Sequence, residues 1–288
     1  MKCEFDREIA FSRTLGLVTR DEMKALQGKT AAIAGLGGVG GSHLLTLTRL
    51  GIGGFHLSDS DTFGQENFNR QAGATMATVG LRKVEVMEQM ARQINPTLRI
   101  NVFPQGVTLQ NLDEFLSGVD IYVDGLDYFA FEIRAAIFKA CYEKGIPAVT
   151  AGPLGMGAAL LNFLPGKMSF QDYFDWRNDD SEVVKAVKFL VGLAPSLPHR
   201  RSIVDPSYVD LQARKGPSTP MGCDLCAGFA GTQVLKILLY RGKIRAVPHS
   251  LHFDAYDDRL YSRRIWFGNR NPWQKFKVAV VMRMLAKK

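Results

Sequence analysis

A glycine run and a short series of polar side chains hold most of the chemistry available to this chain. Gly35, Gly37, Gly38 and Gly40 lie in "GLGGVG", directly after the apolar run 30–34 and before a helix-forming stretch. The spacing of Gly35, Gly37 and Gly40 lets a backbone turn tightly and approach phosphates at a helix N-terminus with no Cβ in the way. Asp59 ends the next apolar run, 24 residues after Gly35, where a carboxylate can accept hydrogen bonds from ribose hydroxyls. Asn67, Arg70 and Lys83 follow. Two cations and an amide suit the several negative charges of a triphosphate, whereas a nicotinamide cofactor needs a hydride-accepting geometry. Asp124 and Asp127 close a fourth apolar run, at the edge where open α/β sheets bind ligands. A carboxylate beside a triphosphate is a natural Mg²⁺ ligand. The set predicts a triphosphate with Mg²⁺ rather than NAD.

These groups need a scaffold that gathers successive strand ends. Helical spacing over 5–27 predicts an N-terminal arm and helix. Strands are expected at 30–34, 53–59, 99–105, 120–126 and 146–152, with helices at 42–50, 80–95 and 131–145. Strand alternating with helix at this rhythm predicts an α/β fold with a Rossmann-like, doubly wound, mainly parallel sheet. After Gly155 the pattern changes. A strand and an irregular segment precede a Pro-, Ser- and Arg-rich stretch, 194–222, that reads as an exposed crossover loop. A helix over 226–242 and a hairpin turning at Asp257-Asp258 then predict an antiparallel C-terminal extension. No interdomain linker is visible. The expectation is one domain: an arm and helix (1–28), a nucleotide-binding half (29–155), a crossover loop and substrate half (156–268) and a basic amphipathic tail (269–288).

At 288 residues and 46% hydrophobic, the chain can bury a sizeable core, and 22% charged residues exclude a disordered composition. Four cysteines (Cys3, Cys141, Cys223, Cys226) make no disulfide framework and predict a reducing, cytoplasmic home. No apolar run reaches the length of a membrane span, and "MKCEFDREIAF" lacks the apolar core of a signal peptide. The net charge of +8 is uneven: from Arg241 on, twelve lysines and arginines face three aspartates, so the preceding 240 residues sum to −1. Acidic partners, if any, belong to the tail.

The linked motifs "GLGGVG", "LSDSDTF", "NFNRQ", "VGLRKVEVM", "INP" and "VDGLD" resemble the ThiF/MoeB/HesA family, whose adenylating domain is shared with ubiquitin-activating enzymes. The likeness runs from about Phe5 to Phe267. It implies adenylation of a carboxylate, usually the C-terminal glycine of a ubiquitin-like sulfur carrier, with a peptide as another substrate. By motif position it implies that Asp59 holds the ribose, that Asn67, Arg70 and Lys83 hold phosphates, and that Asp127 binds Mg²⁺. It further implies a homodimer in which Arg7, in "FDREI", reaches the partner's triphosphate. Three other readings stand beside it: a tRNA threonylcarbamoyl-adenosine dehydratase, a non-catalytic nucleotide-binding scaffold and a nicotinamide oxidoreductase. The motifs "NFNRQ" and "VGLRKVEVM" are similar to the dehydratase branch as well.

The chain departs from the family in three places. Many relatives bind a structural zinc through two CxxC pairs; here those regions read "GKMSFQDYF" and "GNRNPWQKFK", with Gln274 and Lys277 near the expected cysteines. No structural zinc is expected. The one CxxC, Cys223 and Cys226, falls at the start of a helix and reads first as two buried or capping cysteines; the alternative is a reactive thiol, its pKa lowered by the helix N-terminus and partial exposure. Tyr128 stands where relatives usually have Asn. The tail carries a stripe, Phe276, Val280 and Met284, expected to pack on the body, the alternative being contact with an anionic membrane or an acidic partner.

Overall fold

The structure is a computed structural model that describes residues 4–210, 213, 214 and 216–285. In chain order the elements are α1 (Arg7–Ala10), α2 (Arg20–Gly28), β1 (Thr30–Ala34), α3 (Gly38–Leu50), β2 (Gly54–Ser58), α4 (Lys83–Ile94) and β3 (Arg99–Phe103). Then follow α5 (Leu112–Phe115), β4 (Ile121–Asp124), α6 (Phe131–Lys144), β5 (Ala148–Leu154) and β6 (Gly157–Phe163). The second half adds α7 (Phe170–Phe174), α8 (Glu182–Leu193), α9 (Pro220–Leu238), β7 (His249–Asp254), β8 (Arg259–Arg264) and α10 (Pro272–Leu285).

One eight-stranded sheet runs in the order β3-β2-β1-β4-β5-β6-β7-β8. The first five positions pair in parallel, and β6, β7 and β8 add antiparallel. The expected mainly parallel sheet with an antiparallel C-terminal extension is therefore present, including the hairpin at Asp257-Asp258. Period-two alternation divides the core between the two faces. Ala31 and Ile33 of β1 join Leu44, Leu47, Val84, Met87 and Val234 beneath α3, α4 and α9. Ala32 and Ala34 join an aromatic cluster with Tyr122, Phe138, Phe170, Phe174 and Phe189 beneath α6, α7 and α8.

Local signals explain most element ends. Thr19 and Glu22 form a reciprocal capping box at the start of α2. Gly51 and Gly145 close α3 and α6 in the left-handed conformation, at φ 96° and 70°. α3 starts four residues earlier than the sequence reading, at Gly38, because the glycine loop itself winds into the helix.

The second half contains the larger differences. α8, absent from the sequence reading, is a twelve-residue helix capped by the Ser181 hydroxyl. α9 begins at Pro220, so Cys223 and Cys226 lie inside its first two turns. The stretch 194–222 is only partly an exposed crossover: Ala194, Leu197, Pro198 and His199 are buried. The tail helix forms but presents the opposite face. Val278, Val281, Met282 and Leu285 pack against α8, whereas Phe276, Val280 and Met284 are exposed. The helix turns toward α8 because Gln274 and Lys277 find hydrogen-bond acceptors there, described below.

Candidate nucleotide site

Backbone hydrogen bonds tie the ends of β1, β2 and β4 together. Gly35 N–H donates to Ser58 O at 2.7 Å, and Gly125 N–H donates to Ala34 O at 3.0 Å. Sheet order reverses between β1 and β4, which opens the crevice where such folds take ligands. Three glycines interlock at its floor. A Cβ on Gly40 would lie 1.8 Å from Gly35 O, and one on Gly125 would lie 2.4 Å from the same atom. Gly35 also has φ +82°. The close approach explains the spacing; Gly125, which sequence reading passed over, belongs to the same requirement. No side chain caps the N-terminus of α3, so its first-turn N–H groups are open to a phosphate.

Asp59 closes the loop from the side. Its Oδ2 accepts from Leu36 N–H at 2.6 Å and its Oδ1 from Asp61 N–H at 2.8 Å. Burial raises its pKa, and those two N–H groups together with Lys83 pull against that rise. Lys83 is buried, and its Nζ lies 3.2 Å from Asp61 Oδ2. Asn67 is buried and accepts from Gly64 N–H at 3.0 Å. Arg70 donates to Glu66 O and to Asn69 Oδ1, and its Cγ is 3.4 Å from the position of a Cβ on Gly38. Beside it, Gln71 is buried with Oε1 unpartnered, its amide 3.6 Å from a Cβ position on Gly37. An orphaned buried amide against a phosphate loop is a second residue the sequence reading missed, although "NFNRQ" contained it.

The two aspartates after β4 have separate tasks. Asp124 is buried and fully engaged: Oδ2 accepts from Arg134 Nε and Thr150 Oγ1, each at 2.9 Å, and Oδ1 from the Tyr122 hydroxyl and the Leu126 N–H. Arg134 also donates to Leu126 O, Asp127 O and Tyr128 O, so one buried guanidinium shapes the whole turn. Its only sequence signal is a cation at an inward position of α6. Asp127 is exposed; Oδ1 accepts from Phe129 N–H at 2.9 Å, and its second oxygen has no hydrogen-bond partner among the described residues. Tyr128 anchors the turn to α8, its hydroxyl donating to Ala186 O at 2.6 Å and its ring meeting Phe189 at 5.2 Å.

Arg7 lies elsewhere in its own chain. It donates to Gly51 O and stacks over Phe11 at 5.0 Å. Gly51 caps the far end of α3, thirteen residues or about 20 Å from the glycine loop. Burial, then Arg99, lowers its pKa.

The partial exposure that the reactive-thiol alternative needs is absent at both cysteines. Cys223 and Cys226 are buried, and burial pushes both thiols up, Cys226 well above its ordinary range. Ser218 and Arg70 pull Cys223 only partly back. Packing outweighs the helix dipole because Cys223 Sγ fills the space behind Gly38, 2.8 Å from a Cβ position there. Cys3 lies outside the described residues. Among the described residues, no three His, Cys, Asp or Glu side chains converge as a metal site. At the positions of the family's zinc pairs a polar network joins the chain instead. Asn269 Nδ2 donates to Phe174 O and Lys188 O. Gln274 Nε2 donates to Val191 O at 3.1 Å, and Lys277 Nζ donates to Gln274 Oε1 and Pro195 O.

A sheet of this order with a glycine loop at its switch point defines a Rossmann-like nucleotide-binding protein. The ThiF family model matches residues 11–273, and the chain belongs to that family. A tRNA threonylcarbamoyladenosine dehydratase of Escherichia coli K12 is 39% identical over 124 residues, 43% of this chain and 46% of that protein. A HesA protein of Leptolyngbya boryana is 31% identical over 172 residues, 58% of this chain and 61% of the relative. The match thus spans about half the length of these curated relatives. Among solved structures, an E. coli tRNA N6-threonylcarbamoyladenosine dehydratase aligns at TM-score 0.59 and 25% identity, covering 81% of this chain and 95% of that one. No helix among the described residues is long and apolar enough to cross a membrane.

Proposed function

We propose that the chain adenylates a carboxylate with ATP, forming an acyl-AMP and releasing pyrophosphate. The observation that carries the reading is the juxtaposition of an uncapped, glycine-rich helix N-terminus with Arg70, Lys83 and the unpartnered oxygen of Asp127. A carboxyl terminus has a pKa of roughly 3.5, so it arrives ionised and needs no general base. One carboxylate oxygen attacks the α-phosphorus, and the bond from that phosphorus to the bridging oxygen breaks with its electron pair leaving on pyrophosphate. The protein's part is alignment and electrostatic stabilisation. Asp59 and Asn67 fix the loop against ribose and phosphate; Lys83 exchanges Asp61 for phosphate oxygens. Asp127 fits Mg²⁺, which takes one or two carboxylates plus phosphate oxygens and supplies charge neutralisation when bound.

The acyl substrate in this reading is the C-terminus of a ubiquitin-like carrier protein or a peptide. A second reading, a tRNA-borne threonylcarbamoyl-adenosine, is favoured by the 39% identity to the dehydratase over 124 residues. Both place a carboxylate at the α-phosphate. The working unit is a cytoplasmic homodimer, with Arg7 serving the partner's site; its distance from its own loop supports a role in trans.

One experiment tests enzyme, metal ligand and dimer together. Asp127→Asn and Arg7→Ala should each lower pyrophosphate–ATP exchange by two orders of magnitude or more with the fold intact. Mixing the two, with subunit exchange demonstrated, should restore activity through one intact composite site. Near-normal exchange by Asp127→Asn removes that residue from the site, and no recovery on mixing removes Arg7 from the partner's.

A further inference from the structure

A cavity of about 660 Å³ opens on the other side of the sheet from the glycine loop, between the turn after α8, strand β8 and α10. Its wall carries Arg200, Arg201, Arg259, Arg263 and Lys277, with Tyr261 among them. In the sheet, β5, β6 and β7 separate β8 from β4. At about 4.8 Å per strand, the two edges are roughly 19 Å apart. The cavity shares no lining residue with the nucleotide crevice.

The charge balance inside it is one-sided. Asp257 pairs with Arg201 at 2.7 Å. The remaining cations have neutral partners: Arg200 donates to Leu197 O, Lys277 to Pro195 O and Gln274 Oε1, and Arg259 lies over the Tyr261 ring at 5.3 Å. No salt bridge to Arg263 occurs among the described residues. Burial, then Arg263, lowers the pKa of Lys277, which shows that the positive charge is felt locally. Cations gathered around one hollow raise the local potential and favour a multiply charged anion there. Carboxylates bring one charge per group, whereas linked phosphates bring several within a few ångströms and match the guanidinium fork.

We propose that this cavity is a second site, for an oligophosphate group, either free or carried in a nucleic-acid backbone. It is coupled by chain connectivity to the first. The turn that supplies Arg200 and Arg201 packs on Gly155, where a Cβ would sit 3.0 Å from His199 Cβ. The same segment continues to Ser218, whose carbonyl accepts from Asn69 beside Arg70.

The test uses the full chain and three probes: sodium tripolyphosphate, a fluorescein-labelled oligouridylate and citrate as a non-phosphate polyanion. Arg259→Glu/Arg263→Glu alters two exposed side chains on an edge strand and leaves the tail's polar network in place. Wild type should bind tripolyphosphate at two sites per chain by calorimetry, and the double variant at one. Oligouridylate affinity should fall at least tenfold in the variant if the phosphates are carried by nucleic acid, and be absent from both proteins if the ligand is free. Citrate should compete poorly. Pyrophosphate–ATP exchange in the variant should match wild type; its loss in both proteins would remove the adenylation reading without touching this one. Unchanged tripolyphosphate stoichiometry together with unchanged oligouridylate affinity in the variant overturns the proposal, as does displacement by citrate at equal concentration.

Discussion

The loop end of β1 and β4 and the C-terminal end of the chain, around α8 and α10, are held together by opposite means. At the nucleotide edge, Gly35, Gly40 and Gly125 bring three backbone segments into direct contact. At the C-terminal end, side chains make the ties: Asn269, Gln274 and Lys277 reach four backbone carbonyls on α7, α8 and the turn beyond, and Lys277 also donates to Gln274 Oε1. A backbone contact admits one residue type, so its sequence is narrow. A side-chain network admits many solutions, of which the amide and ammonium network present here is one. The contrast predicts that substitutions at the first end damage nucleotide handling, while those at the second reach stability alone.

Gly40→Ala should show the largest effect. Its methyl would meet Gly35 O at 1.8 Å, so the loop must move and the crevice floor opens. Nucleotide affinity should fall at least a hundredfold, with a stability loss of about 3 kcal/mol from overpacking. Equilibrium binding of a fluorescent ATP analogue and urea unfolding give the two numbers; wild-type affinity would mean that the loop is not a phosphate cradle. Arg134→Leu comes next. It strands the buried Asp124 carboxylate and releases the turn carrying Asp127. Breaking such a pair costs about 3–5 kcal/mol, and exchange activity should drop as well.

The same contrast explains what could be read in advance. Gly35, Gly37, Gly40, Asp59, Asn67, Arg70 and Lys83 were legible because each answers a local demand with few permitted residue types, and the structure gathers them at one strand edge. Gln71, Gly125 and Arg134 were not, since their roles exist only once β4, α6 and the loop meet. α8 escaped notice because its apolar positions are nearly continuous and serve two clusters, one under the sheet and one under α10. The tail's periodicity gave a helix correctly but not its facing: hydropathy favours burying Phe276, Val280 and Met284, whereas hydrogen bonding by Gln274 and Lys277 turns the other side inward.

Gln274→Leu is the stability-only counterpart. It removes a donor to Val191 O and an acceptor for Lys277 while conserving most of the volume. Loss of buried hydrogen-bond partners costs about 1–3 kcal/mol. The urea midpoint should shift by that much, with the m-value and pyrophosphate exchange rate unchanged. A fall in exchange equal to that of Gly40→Ala would mean that the two ends are not independent.

The smallest expected effect concerns the cysteines, which sit where the two halves meet. Cys223 lies on α9 of the second half yet fills the space behind Gly38 of the first. If packing is its whole role, Cys223→Ser should cost about 1 kcal/mol for exchanging a buried thiol for a hydroxyl, with little change in nucleotide affinity. Its reactivity follows from the same burial. Because the thiol is raised above its ordinary value of 9.0, the thiolate fraction at neutral pH is lower than in a free cysteine. Alkylation by iodoacetamide in the folded protein should therefore be slow at pH 7 and climb only as pH rises past 9, with Cys226 slower still because it is more deeply raised. Saturating ATP should slow Cys223 further, since phosphates on the loop hold Gly38 and Arg70 against it. Rapid labelling of Cys223 at pH 7 that ATP leaves untouched would show an open thiol, and would restore the reactive-cysteine reading that the packing argues against.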